Sequence, residues 1–258
     1  MSRNEFPALL NPPIVEVVCG IKFDSVNDLD ALLLGVYWDL VRDKFPHRQV
    51  QPALSDSINF AMGAIPMRAF LTSANNEFVL QLQYDRFIMN WRAVGEAYPR
   101  FSDRHGPKGL LSRMEEEFGL FSTFVKGRCG VELVPVGIEL AKIDVLEQGK
   151  HWTDYRDLAS VLPVVGAFDS LDSGVSREFN MQFVQHDGGG ALVTNVQTGK
   201  TNEGVDLVRI DGRVISNAHP IVREAFKAAN TSLNQMFFRL IAHPEKLFGL
   251  RATDDANG

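Results

Sequence analysis

The chain has 258 residues, of which 45% are hydrophobic and 22% charged, and it carries a net charge of −6 with a pI of about 5.5. These values are typical of a globular protein of one or two domains that can bury a core without disulfides or metals. They oppose a general role in binding phosphate backbones, which depends on clustered Lys and Arg releasing counterions. The net charge does not exclude a local basic patch.

The cysteine content and the amino-terminal sequence indicate the cellular compartment of the protein. Cys19 and Cys129 are too few for a disulfide framework or a zinc site, and they fit a reducing cytoplasm. Residues 1–7 lack the apolar run of a signal peptide, and no uncharged apolar run approaches the ~18 residues that cross a bilayer. The sequence therefore predicts a cytoplasmic protein with no membrane partner.

The first half of the chain opens with a strand and a helix. Residues 14–23 alternate apolar and polar side chains, which predicts a strand with one buried face. Ser25 and Asn27 are candidate caps for a helix that ends at Phe45-Pro46. Six apolar residues recur at helical spacing and predict one buried stripe. They are Leu29, Leu32, Leu33, Val36, Leu40 and Val41.

Three strands and a helix complete this half. Strands are predicted at residues 67–72, 77–83 and 86–92, with a further strand within 51–61. A helix follows whose apolar residues recur from Leu110 to Phe121.

The second half repeats this order more loosely. A strand at 133–145 precedes a short helix at 155–162, which Thr153-Asp154 caps and Pro163 ends. A hairpin follows, with strands at 178–184 and 191–197 and a glycine-rich turn at 186–190. A strand at 205–210 then reaches a turn at Asp211-Gly212, and a long helix starts at Pro220.

This order of elements predicts an α+β fold of mainly antiparallel sheet packed by helices. The two similar halves each follow a β-α-β(3–4)-α order and divide the chain at residues 1–130 and 131–258, or form one continuous domain. The chain shows no series of βαβ units, which argues against a doubly wound parallel sheet.

The motifs that could carry chemistry have simpler explanations. Gly199-Lys200-Thr201 resembles the end of a phosphate-binding loop, but Thr194 stands where that loop needs glycine. The six histidines lack metal-ligand spacing. Cys129 follows Arg128, which could favour a thiolate, but no partner base can be assigned and an inert thiol is favoured. We predict no catalytic, cofactor-binding or metal-ligating residue, and the sequence leans against an enzyme without excluding one.

Two groups of residues are candidates for interaction. Phe237 and Phe238 are neighbours on the last long helix and diverge by ~100°, so both cannot face one narrow core stripe. Phe238 therefore belongs to a wide core or an interface. Arg86, Trp91 and Arg92 place basic and aromatic groups on one strand, as in proteins that stack single-stranded bases. Packing within the sheet is the favoured interpretation of this second group.

The opening segment Asn11-Pro12-Pro13-Ile14-Val15-Glu16-Val17-Val18 leads into Gly20-Ile21-Lys22-Phe23. It resembles the opening signature of a sporadically distributed family of prokaryotic proteins of about this length without assigned activity. The segments that begin at Asp85 and at Val136 are similar to that family as well. The resemblance supplies no catalytic residues. The patchy distribution of the family implies accessory genes, such as antiviral defence or toxin–antitoxin-like loci.

Three hypotheses of function remain at this point. The first is a non-enzymatic protein-interaction module that forms a homodimer or binds another protein. The second is a small-ligand receptor or enzyme with a pocket between the two halves. The third is a nucleic-acid binder, which the net charge disfavours.

Overall fold

The computed structural model describes residues 6–54, 67–95, 98–102, 109–166, 178–187, 189–217 and 221–251. Within these ranges the chain forms nine strands and six helices. The strands are β1 (Ile14–Phe23), β2 (His47–Pro52), β3 (Met67–Thr72), β4 (Phe78–Gln83), β5 (Arg86–Arg92), β6 (Pro135–Glu147), β7 (Asn180–Asp187), β8 (Gly190–Lys200) and β9 (Asp206–Asn217). The helices are α1 (Ala31–Val41), α2 (Leu110–Cys129), α3 (Tyr155–Val161), α4 (Pro163–Gly166), α5 (Val222–Leu240) and α6 (Pro244–Phe248).

The strands of the described residues belong to one sheet in the order β2-β3-β4-β5-β1-β6-β9-β8-β7. The pairs β1–β5, β2–β3, β3–β4, β4–β5 and β7–β8 are antiparallel. The predicted α+β class with a mainly antiparallel sheet is therefore confirmed. In each half of the sequence, the first strand lies beside the last strand of that half, since β1 borders β5 and β6 borders β9.

The chain divides into two compact units. The larger unit comprises Glu16–Leu140 and Ile215–Lys227, and the smaller unit comprises Met1–Val15, Ala141–Val214 and Ala228–Gly258.

The core of the larger unit is aromatic and lies between the sheet and helices α1 and α2. Phe87 of β5 contacts Phe118 and Phe121 of α2, with ring centroids 5.5 and 5.7 Å apart. Phe23 at the end of β1 reaches the same ring of Phe121 at 6.3 Å. Pairs of this kind contribute about 0.5–1.5 kcal/mol beyond the area they bury.

Helix α1 begins later than the sequence indicates. Asp30, and neither Ser25 nor Asn27, is its cap, because the side chain of Asp30 accepts the N–H of Leu33 at 2.9 Å. The preceding turn is held instead by Val26, whose N–H donates to the carbonyl of Tyr84 at 2.8 Å. A buried Val26 anchors this turn and delays the helix.

The predicted turn at Asp211-Gly212 is wrong, because β9 continues through both residues to Asn217. Gly212 lies against α5, where a Cβ atom would overlap Met236 Cε and approach Leu233 Cδ2 to 3.0 Å. Glycine at this position serves a close approach between strand and helix, and the local turn signal is overridden by packing from a distant segment.

Other boundaries follow the sequence closely. Asp154 caps α3 by accepting the N–H groups of Arg156 and Asp157, both at 2.9 Å. Pro163 ends α3, as predicted, but it also starts the short helix α4, a position that suits proline. In the hairpin, pairing extends to Asp187 and Gly190 and leaves a shorter turn than predicted. Strand β2 ends at Pro52; residues 55–61 and Pro220 lie outside the described residues.

Candidate interaction surface

Helix α1 exposes three large apolar side chains on consecutive turns. Leu32, Val36 and Leu40 are 81%, 42% and 64% exposed, and their i, i+4, i+8 spacing places them along one flank. The buried face of the helix is formed by Leu34, Tyr37 and Val41. The predicted stripe is therefore wrong in orientation, since three of its six members face outward. We call Leu32, Val36 and Leu40 the α1 flank.

The buried face of α1 is packed firmly against α2. The ring of Tyr37 lies 5.2 Å from those of Phe121 and Phe124. Beyond the helix end, Lys44 Nζ contacts Glu117 Oε1 of α2 at 2.8 Å. Burial and the nearby Glu117 raise the pKa of Tyr37, so its phenol is neutral at any ordinary pH. These contacts present the α1 flank on a rigid support.

The opposite border of α1 is covered. Trp38 is half-buried, donates its indole N–H to the carbonyl of Phe45 at 3.0 Å, and lies beneath the guanidinium of Arg48 at 3.9 Å from the ring centre. Arg48 comes from strand β2, so a side chain of the sheet covers this side of the helix. An ion pair between Arg42 and Asp39 at 3.1 Å forms a polar margin. An apolar strip with a polar rim is typical of protein interfaces.

The two phenylalanines predicted on the last long helix are packed within the smaller unit. Phe237 is 8% exposed and lies 6.0 Å from the ring of Phe248 in α6. Phe238 is half-buried and stacks on Phe6, with centroids 5.1 Å apart and planes inclined by 24°. The divergence predicted for the pair is thus accommodated by two different intramolecular contacts.

The three candidates on β5 do not share a face. Trp91 is buried on the side of the core and donates its indole N–H to Glu77 Oε1 at 2.8 Å. Arg86 and Arg92 point to the other side, because neighbours on a strand alternate. Arg86 contacts Asp85 at 3.1 Å, and Arg92 contacts Glu16 at 3.4 Å. The structure therefore brings the two arginines to one face and separates them from Trp91.

A chain of hydrogen-bonded polar side chains crosses the sheet on the face opposite Trp91. Arg68 Nη1 donates to Gln81 Oε1 at 2.8 Å, and Gln81 Nε2 donates to Asn90 Oδ1 at 2.8 Å. Asn90 Nδ2 in turn donates to Glu16 Oε1 at 2.7 Å, while Arg68 Nη2 reaches Gln51 Oε1 at 3.2 Å. This polar chain links five adjacent strands. Its buried amides are satisfied by one another, as low-dielectric surroundings require.

The smaller unit contains an open cleft of about 470 Å³. Tyr155 and Phe179 line it together with Glu178, Lys200 and Asp206. Lys200 Nζ contacts Asp206 Oδ1 at 2.5 Å, and this partner raises the pKa of Lys200. The volume lies in the range of small-molecule sites, but such sites are mostly apolar, whereas this cleft has an ion pair in its wall.

Burial favours the neutral forms of two groups weighed for chemistry. Burial, with the carboxylates of Asp28 and Asp30 nearby, raises the pKa of Cys129, so its thiol is protonated at neutral pH. His151 accepts the backbone N–H of Glu147 on Nδ1 at 2.9 Å, and burial lowers its pKa. Within the described ranges, no three His, Cys, Asp or Glu side chains converge as metal ligands would.

No family model matches the chain, and a comparison with curated proteins found no match. Among the helices of the described residues, none combines the length and apolarity needed to cross a membrane.

Sequence reasoning missed the α1 flank, although a signal was available. The helix reads Ala-Leu-Leu-Leu-Gly-Val-Tyr-Trp-Asp-Leu-Val and is apolar on nearly every side. A helix of this kind must be covered all round, either by its own chain or by another molecule. Since the sheet and α2 bury one side, the remaining apolar side marks the candidate site.

Proposed function

We propose that this chain is a non-enzymatic protein-interaction module that binds an apolar helix of a partner protein through the α1 flank. The observation that carries the proposal is the exposure of Leu32, Val36 and Leu40 on three successive turns. Side chains spaced by four residues form the ridge that packs into the groove of another helix. Exposed apolar strips with polar margins mark association sites.

Burial of the α1 flank contributes free energy to binding. Complete burial of a Leu or Val side chain contributes about 1.5–3 kcal/mol. Because Leu32, Val36 and Leu40 are already partly buried, their remaining exposed surface supplies roughly 3–6 kcal/mol before the costs of association, and the partner must add contacts around the strip. The contacts of Tyr37 with α2 fix the helix beforehand, which limits the ordering entropy lost on binding.

Site-specific photo-crosslinking in the native host tests the proposal. A photo-reactive phenylalanine analogue in place of Leu32 or Leu40 should yield a discrete covalent adduct, whose mass identifies the partner. The matched control carries the analogue in place of Leu120, an exposed leucine of α2 in the same unit. An adduct from the α1 positions and none from Leu120 supports the proposal.

The opposite results reject it. If Leu32 and Leu40 give no adduct, or if Leu120 gives the same adduct, the α1 flank is not the docking surface. Loss of the adduct when Val36 is replaced by Asp, with unchanged circular dichroism, would separate a docking contact from chance proximity.

A small-ligand role has the cleft of the smaller unit in its favour. A thermal-shift screen of nucleotides and metabolites tests it, because a specific ligand raises the melting temperature by mass action. Lys200→Met should abolish any such shift while leaving the photo-adducts of α1 unchanged. A screen without a shift removes this candidate.

A further inference from the structure

The two outer strands of the sheet differ in how they are protected. Strand β2 contains Arg48, follows Pro46 and ends on Pro52. Charge and proline are the usual devices that stop an edge strand from pairing with another chain. Strand β7 lacks both devices over its first seven residues, because Asn180 to His186 include no proline, Asp, Glu, Lys or Arg, and its one charged residue is the last, Asp187.

Both faces of β7 are exposed as well. Phe183 is 45% and Val184 50% exposed, although they point to opposite sides of the strand. Gln182, Gln185 and His186 are also exposed. An edge strand that is uncharged up to its last residue and has apolar residues on both faces is an aggregation hazard unless the functional state pairs it.

The backbone orientation of β7 follows from its pairing with β8. Asn180 is opposite Gln197, which places Phe179 opposite Thr198. The carbonyl of Phe179 accepts the N–H of Thr198 at 3.0 Å, so odd-numbered residues of β7 bond to β8. The N–H and C=O groups of Asn180, Gln182, Val184 and His186 therefore point to the outer edge. Within the part of the chain that the structure describes, these outward groups form no hydrogen bond.

We propose that β7 pairs antiparallel with β7 of a second copy of this chain, with Phe183 opposite its own counterpart across a two-fold axis. In this register Asn180 bonds to His186 of the partner subunit, and Gln182 bonds to Val184 of the partner subunit. Every outward group of the strand is then satisfied, with about eight hydrogen bonds in all. The two Phe183 rings meet at the close, non-hydrogen-bonded position, where aromatic pairs stabilise a sheet.

The strand is self-complementary, which favours a second copy over an unrelated partner. A two-fold axis normal to the sheet keeps each residue on its own face, so apolar Phe183 meets an identical ring. The central segment carries no formal charge, so no like charges are opposed. This surface is independent of the α1 flank, and the inference does not rest on the proposed function.

Cysteine cross-linking on the full-length chain tests the register. In a Cys129→Ser background, Phe183→Cys should form a disulfide-linked dimer on mild oxidation, because the paired Cα atoms lie within bridging distance. Val184→Cys is the matched control, since its two copies would lie about 8 Å apart on the other face. Cross-linking at 183 and its absence at 184 support the proposal; the reverse pattern overturns the register.

Sedimentation velocity tests the dimer itself. The unmodified chain should be dimeric at micromolar concentration, and Val184→Pro should raise the dissociation constant about tenfold or more by removing an outward donor from each strand. Since Val184 does not bond to β8, circular dichroism should be unchanged. A strict monomer overturns the proposal. So does a dimer that survives Val184→Pro without cross-linking at 183, or one that is lost when Leu32 and Leu40 are replaced.

Discussion

Helices α1 and α5 both carry large apolar side chains on more than one side, and they differ in what covers those side chains. In α5, Phe237 is buried beside Phe248, and Phe238 stacks on Phe6. In α1, Leu32 and Leu40 are exposed. The amino-terminal segment therefore covers an apolar side chain of α5, whereas no described part of the chain covers Leu32 and Leu40 of α1. Apolar surface on a helix indicates an interface when no other part of the molecule buries it.

Among substitutions that distinguish α5 from α1, Phe237→Ala is expected to have the largest effect on the free energy of unfolding. Truncation of a buried phenylalanine removes its transfer free energy and leaves a cavity, so the free energy of unfolding should fall by about 3–5 kcal/mol. Leu32→Ala in α1 should change it by less than about 0.5 kcal/mol. Urea denaturation measures both values, and equal losses would contradict the assignment of Leu32 to the surface.

A buried carboxyl in the smaller unit should make stability depend on pH. Asp144 shares a face of β6 with Lys142, whose Nζ donates to Asn234 of α5 at 2.8 Å. Burial raises the pKa of Asp144 to about 7, against the opposing effect of Lys142. The folded state thus holds a proton that the unfolded state releases near pH 4. Stability should fall as pH rises from about 4 to 7, by roughly 4 kcal/mol at most.

Asp144→Asn provides the control for this dependence. The amide mimics the protonated carboxyl, so the variant should lose the downward slope and be more stable than the unmodified chain above pH 7. Melting temperatures between pH 5 and pH 8 measure the difference. Parallel curves for the two proteins would show that Asp144 is ionised in the folded state without penalty.

Alanine substitutions of Gly212, which lies in β9 against α5, and of Gly35, which lies in α1, should change stability in opposite directions. Gly212→Ala places a methyl group against Met236 and Leu233 of α5 and should destabilise by about 1–3 kcal/mol, reduced to the extent that Met236 moves. Gly35→Ala in α1 meets no atom within 4 Å and should stabilise by roughly 1 kcal/mol through helix propensity. Thermal unfolding tests both signs, and a stabilising Gly212→Ala would argue against the close approach of α5 to β9.

The smallest effect on stability is expected at the α1 flank. Leu32→Ser combined with Leu40→Ser should alter the free energy of unfolding by no more than about 0.5–1 kcal/mol, because neither side chain is buried. The double variant should nevertheless lose photo-crosslinking from Val36. A large loss of stability would show that these leucines support the fold, and retained crosslinking would separate them from docking.

Local patterns predicted the strands well and the contacts poorly. Strand β1 matches its prediction at both ends, because alternation over ten residues is a local property. The buried face of α1 could not be chosen from periodicity, since apolar residues surround the helix. Phe238 was recognised as diverging from Phe237, but Phe6 lies at the far end of the sequence. Its role in covering Phe238 could not be read from local spacing.

The same limit explains the error at Asp211-Gly212. The dipeptide is a strong turn signal where the backbone is free to choose. Here the space beside Gly212 is filled by Met236 and Leu233, which are more than twenty residues away. For the candidate site, sequence reasoning predicted a protein-interaction role and directed attention to Phe237 and Phe238. The α1 flank required knowledge of which side of α1 the sheet and α2 leave uncovered.

The polar chain from Arg68 to Glu16 has a consequence for how the strands find their partners. Apolar side chains on the core face penalise a slip of one residue, which would turn them outward, but a slip of two residues returns apolar groups to that face. The links Gln81–Asn90 and Asn90–Glu16 join particular residues on the opposite face. A two-residue slip would break these hydrogen bonds and leave buried amide groups without partners. The polar chain therefore disfavours strand registers that the burial of apolar side chains alone would permit.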